Sequence, residues 1–171
     1  MKRTIIDLFE ESVAKYGAKE FLLEKHNGKF EPTTYKEVKE TVLKVGGGLA
    51  SLGIKPKSTV SILSEGRNHW IYSELGLLYA GAISVPLSIK LEESNDLMFR
   101  LKHSDTKWIV VSKSQLPKIR RIIADLPLVE KVIIIDKVDD LQEKEILMDD
   151  IRELGRELLA EDREGFLKIG Q

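Results

Sequence analysis

Residues of the types that chemistry needs are few in this 171-residue sequence, and spacing weighs against most of them. Gly46-Gly47-Gly48 has the composition of a loop that wraps phosphate oxygens in backbone amides. Such loops follow a strand, open a helix and carry a lysine and a hydroxyl at fixed offsets. Here the glycines lie inside a helical pattern and run into Leu49-Ala50, which favours close helix packing over phosphate binding. Ser64-Glu65-Gly66-Arg67-Asn68 lies between a predicted strand and a predicted helix, where ligands gather in open α/β sheets. Glu65 and Arg67 are candidate substrate contacts there, and amides at the helix start could meet an anion. The plainer alternative has Asn68 capping the helix, with Glu65 and Arg67 in water.

His26, His69 and His103 have neither an i, i+4 partner nor the carboxylate company of a metal site, which points to surface or capping roles. No serine sits in a G-x-S-x-G elbow. There is no cysteine, so disulfides, thiolate nucleophiles and cysteine zinc sites are all excluded. Trp70, Trp108, Tyr35 and Tyr79 are scattered and read as core aromatics. From spacing alone, no residue is assigned as catalytic, cofactor-binding or metal-binding.

The elements that would position any site are more legible. Thr4 is placed to cap a first helix, with Asp7 at N3 and Ile5, Leu8, Phe9 and Val13 as its stripe, ending near Tyr16-Gly17. Asn27-Gly28 between extended runs predicts a short two-residue hairpin. Thr34-Tyr35-Lys36-Glu37 is a capping box opening a long helix with Val38, Val42, Val45, Leu49 and Leu52 on one face, closed by Gly53 and Pro56. From Asn68 to Ser88 the pattern predicts a helix, a glycine stop at Gly81 and a short strand ended by Pro86. Ile71, Leu75, Leu78 and Ala82 form its expected core face. Ser73, Gly76 and Ala80 form a second stripe that would let a neighbouring backbone approach.

Four apolar strands centred near Ser61, Ser84, Val110 and Ile133 alternate with helices, and Ser112 or Ser114 is expected to cap the helix after the third. This is the pattern of an α/β fold with a mostly parallel sheet and helices packed on it. Residues 137–171 read as a charged linker plus an amphipathic helix marked by Leu147, Ile151, Leu154 and Leu158. Asp149/Arg152 and Glu153/Arg156 are its i, i+3 pairs.

Composition closes off several function classes. The formal charge of −1 provides no basic field for nucleic acid. No apolar run approaches the roughly 20 residues that span a bilayer, and the N-terminus lacks a signal-peptide core. The expectation is a cytoplasmic protein.

Thr34-Tyr35-x-Glu37, then Leu52-Gly53-Ile54-x-Pro56 with Val60-x-Ile62, then Trp70 through Tyr79-Ala80-Gly81-Ala82 to Val85-Pro86-Leu87 are an ordered set of motifs. The set resembles the N-terminal region of AMP-forming acyl-CoA synthetases, most of all bacterial long-chain fatty acid:CoA ligases. The likeness continues through 102–112 and 126–136 and departs at Lys57-Ser58, where the family usually has Gly-Asp.

The resemblance implies that residues 1–171 are the N-terminal portion of an adenylate-forming domain, with 137–171 leading to a phosphate loop beyond Gln171. It implies a parent that uses ATP and magnesium to turn a fatty acid or other carboxylate into an acyl-adenylate and passes the acyl group to CoA, with peripheral membrane association open to it. The family's phosphate loop, nucleotide contacts and C-terminal lysine match no position here, so the fragment is expected to be inactive and to bind no cofactor itself. Self-association through surfaces exposed by truncation is a further expectation. The reading from another class is a self-standing αβ module that binds a protein partner.

Overall fold

The computed structural model describes residues 3–169. A first helix, α1 (Ile5–Tyr16), leads into a hairpin of β1 (Glu20–His26) and β2 (Lys29–Thr34). The long helix α2 (Tyr35–Ser51) follows, then β3 (Thr59–Leu63), α3 (Asn68–Tyr79), β4 (Ile83–Pro86), α4 (Ser94–His103), β5 (Trp108–Val111) and α5 (Leu116–Ile122). The chain continues through β6 (Lys131–Ile134), β7 (Glu145–Leu147) and α6 (Met148–Leu167). Both capping boxes form: Thr4 with Asp7 starts α1, and Thr34 with Glu37 starts α2.

The hairpin turns on Asn27 and Gly28, both at positive φ, and its strands are longer than expected. β3 to β7 form one parallel sheet in the order β4-β3-β5-β6-β7. The four expected strands are present, and β7 is a fifth that lies within the stretch read as linker. Three residues of Glu-Ile-Leu are too short to show a period, and the strand exists through long-range pairing of Val132, Ile133 and Ile134 with Glu145, Ile146 and Leu147.

Alternation along each central strand divides the core. Val60, Ile62, Val110 and Ile133 face Val45, Leu49, Leu77, Met148 and Ile151 on α2, α3 and α6. Leu63, Ile109, Val111, Val132 and Ile134 face Leu97, Leu101, Leu116, Ile119 and Ile122 on α4 and α5. A third cluster seats α1 and the hairpin on the outer side of α2 and α3 through Phe9, Val42, Leu43, Leu75 and Tyr79, with Phe166 of α6.

Leu77 is fully buried against the sheet, whereas Ile71 and Leu78 are only partly buried in the third cluster. The predicted core face of α3 is therefore rotated, because this helix is covered on two sides and a single stripe cannot describe it. Leu147 belongs to β7 rather than to the stripe of α6, whose deepest residues are Met148, Ile151, Gly155 and Phe166.

The glycine triplet lies where three helices cross. A β-carbon at Gly48 would stand 1.8 Å from the Ile151 carbonyl oxygen, and one at Gly155 would stand 1.7 Å from that of Lys44. Gly46 abuts the Gly76 carbonyl, the expected close approach on α3. Glycine costs about 1 kcal/mol per site in a helix, and backbone-to-backbone contact at these crossings offsets it.

β4 is an edge of the sheet. Ile83 and Leu87 donate their N–H groups inward to Ser58 and Ile62, so Pro86 occupies a position whose N–H would have pointed outward. This is where a strand tolerates proline.

Candidate functional site at the carboxyl ends of the strands

β3 leads through Ser64–Arg67 into α3 on one face of the sheet, and β5 leads through Ser112–Gln115 into α5 on the other. Adjacent strands whose following helices diverge create the crevice in which open α/β sheets receive ligands. The structure fills this crevice with polar side chains bonded to one another.

Glu65 accepts hydrogen bonds from Ser114 Oγ at 2.5 Å and Gln115 Nε2 at 2.6 Å. Burial works to raise its pKa, but donors from Ser114, Gln115 and Ser112 outweigh burial and hold it at about 2. At neutral pH Glu65 is an acceptor with no proton to give. The Arg67 guanidinium donates to Asp136 Oδ1 at 2.7 Å and lies 3.9 Å from Glu24 on the hairpin. Asp136 Oδ2 accepts from the Lys113 backbone N–H at 2.8 Å. The loops after β3, β5 and β6 and strand β1 are thus tied together through four side chains, Glu65, Arg67, Asp136 and Glu24.

Sequence reasoning singled out Glu65 and Arg67 and missed Ser114 and Gln115 as partners of the first and Asp136 as partner of the second. Strand-end position is the only local signal those residues carry. Two capping assignments are corrected. Asn68 is the first residue of α3, with Arg67 at the N-cap and no side-chain cap, and its amide donates toward Thr33 Oγ1 at 3.5 Å. Neither Ser112 nor Ser114 caps α5, because Gln115 takes the N-cap position and Ser114 Oγ is drawn to Glu65.

The histidines are separated: His26 ends β1, His69 is in the first turn of α3, and His103 ends α4 stacked on Phe99 at 5.5 Å. His69 is not the surface residue expected. Burial, then the neighbouring Arg67, lowers its pKa, and its Nδ1 is buried without a partner among the described residues. Trp108 and Tyr79 are core residues, with the Tyr79 hydroxyl donating to Glu10. No group of three or more His, Asp or Glu side chains that could hold a metal ion is gathered among the described residues.

Comparison with known proteins gives this scaffold a family. The AMP-binding enzyme family matches residues 9–160. A long-chain-fatty-acid–CoA ligase of Mus musculus, ACSBG1, is 27% identical over 171 residues, covering 98% of this chain and 23% of the relative. The long-chain-fatty-acid–CoA ligase of Thermus thermophilus is 27% identical over 132 residues, covering 77% of this chain and 24% of the relative. The chain therefore spans about a quarter of the length of these relatives. The crystal structure of the anthranilate CoA ligase AuaEII superposes with a TM-score of 0.75 at 23% identity, over 86% of this chain and 27% of that one. That likeness shows the fold, a parallel sheet flanked by helices. With the family match spanning most of its length, the chain belongs to the AMP-binding enzyme family.

Proposed function

We propose that this chain is the N-terminal portion of a long-chain fatty acid:CoA ligase of the cytoplasm. Its full-length parent would join a fatty acid carboxylate to the AMP moiety of ATP, with magnesium, and pass the acyl group to the thiol of CoA. The observation that carries the reading is the family match over residues 9–160, taken with relatives that are themselves long-chain-fatty-acid–CoA ligases.

Within these 171 residues the assigned role is a scaffold. The glycine triplet is occupied by helix contact, and the carboxylates at the strand ends are held by the chain's own guanidinium, hydroxyl and amide donors. Magnesium needs free oxygen ligands in octahedral array, and these side chains do not fit that demand. No step through ATP, magnesium or CoA is therefore routed through them.

The expected outcome for the 171-residue protein is no pyrophosphate release above background when ATP, magnesium and a panel of fatty acids are supplied. Release that depends on fatty acid would overturn the scaffold reading. Self-association belongs to the same proposal, because Leu23 and Phe30 are 57% and 66% exposed on the hairpin. An apolar groove of about 300 Å³ also lies open between α1, the hairpin and α3.

A further inference from the structure

We propose that Asn27 is a site of spontaneous deamidation, and that its conversion to isoaspartate loosens the hairpin that carries Glu24 to Arg67. Asn27 and Gly28 are the two loop residues between the paired His26 and Lys29, and both are exposed. Among the described residues, neither the Asn27 amide nor the Gly28 N–H has a hydrogen-bond partner. A β-carbon built on Gly28 would meet nothing within 4 Å, so the fold does not crowd this residue, and glycine has no side chain of its own to shield the nitrogen that must attack.

The step balances without an outside reagent other than water. The Gly28 nitrogen attacks Asn27 Cγ, a C–N bond closes a five-membered succinimide, and the side-chain nitrogen leaves as ammonia with the Gly28 amide proton. Water then opens the ring at either carbonyl. Breaking the bond to Cγ gives aspartate, and breaking the bond to the α-carbonyl gives isoaspartate.

The consequence follows from the turn. Asn27 and Gly28 sit at φ 48° and 84°, the pair of positive values that a tight two-residue hairpin loop requires. Isoaspartate inserts a methylene into that loop, and the His26–Lys29 pairing no longer closes in register. The two strands pair only with each other and are seated through Phe21 and Leu22 at the far end from the turn, so the turn end depends on its own pairing. Loosening therefore runs down β1 to Glu24, which lies 3.9 Å from Arg67.

The other asparagines are internal controls. Asn68 is buried and is followed by His69 in α3, and Asn95 is followed by Asp96 in the first turn of α4. The test is to incubate the full chain at mildly alkaline pH and about 37 °C and to cut after glutamate, which releases 25–37 because Pro32 protects the bond after Glu31. Aspartate and isoaspartate are then separated by mass and by electron-transfer fragmentation. Both products should accumulate at position 27 while Asn68 and Asn95 stay unchanged, and amide exchange along β1 and β2 should quicken in step. Gly28→Ala should slow conversion several-fold. At φ 84° alanine loosens the loop, which would speed attack, so slowing can only come from the added β-carbon shielding the nitrogen. Conversion at Asn27 no faster than at Asn95, or a rate indifferent to Gly28→Ala, would overturn the proposal.

Discussion

Glu65 shows how a candidate substrate contact becomes a structural acceptor. Its carboxylate is held at about 2 against an ordinary value of 4.5, so its contribution to stability is fully present above 4.5 and is lost as the pH falls toward about 2. Glu65→Gln keeps the shape and removes the charge on a partner of Ser114 and Gln115. Replacing a charged hydrogen-bond acceptor by a neutral one should cost about 1 kcal/mol at neutral pH. The gap between the variant and its parent in denaturant titrations should narrow as the pH is lowered through that window. A gap that is constant with pH would separate Glu65 from its assigned role. The sequence makes Glu65 visible because it ends a strand, but Ser114 and Gln115 lie about 50 residues away and only the β3–β5 pairing brings them to it. His69 misled because tertiary packing half-buries it and brings Arg152 near, which periodicity on α3 does not reveal.

Among the elements, the crossing of α2 with α6 is the tightest contact in the fold. Gly48→Ala sets two effects against each other: helix propensity gains about 1 kcal/mol, while a β-carbon 1.8 Å from the Ile151 carbonyl oxygen forces the helices apart. Overpacking of this kind costs roughly 1–3 kcal/mol, and a contact between backbones has no flexible side chain to yield. The net expectation is a thermal midpoint lowered by several degrees in circular dichroism melts, and a midpoint raised instead would mean the helices can separate freely. The two capping boxes and the Asn-Gly turn were legible because their chemistry is local. β7 was not, since it depends on β6 and on Arg120, which donates to Glu145 through Nε and Nη2 at 2.8 and 2.7 Å. The same ion pair raises the Arg120 pKa, Glu145 acting first and Asp140 second.

For the whole molecule, strand–helix alternation was enough to announce a parallel sheet, but the order β4-β3-β5-β6-β7 and the separate hairpin are tertiary facts. Light scattering over a concentration series should give a mass that rises with concentration, and Phe30→Ser should reduce the rise by removing an exposed aromatic ring. A monomer mass at every concentration would exclude association through these faces.

Pro86 bears on the form that such association can take. With Ile83, Val85 and Leu87 turned toward β3, the outer rim of β4 offers the Ser84 N–H alone within the strand. An incoming strand would find a single donor there and a pyrrolidine ring where the next should be. Sheet growth by strand addition is discouraged on that rim, so contacts between copies that use β4 are steered to its side-chain faces. Association of that kind should weaken on apolar-to-polar substitution without acquiring the cross-β spacing of a fibre.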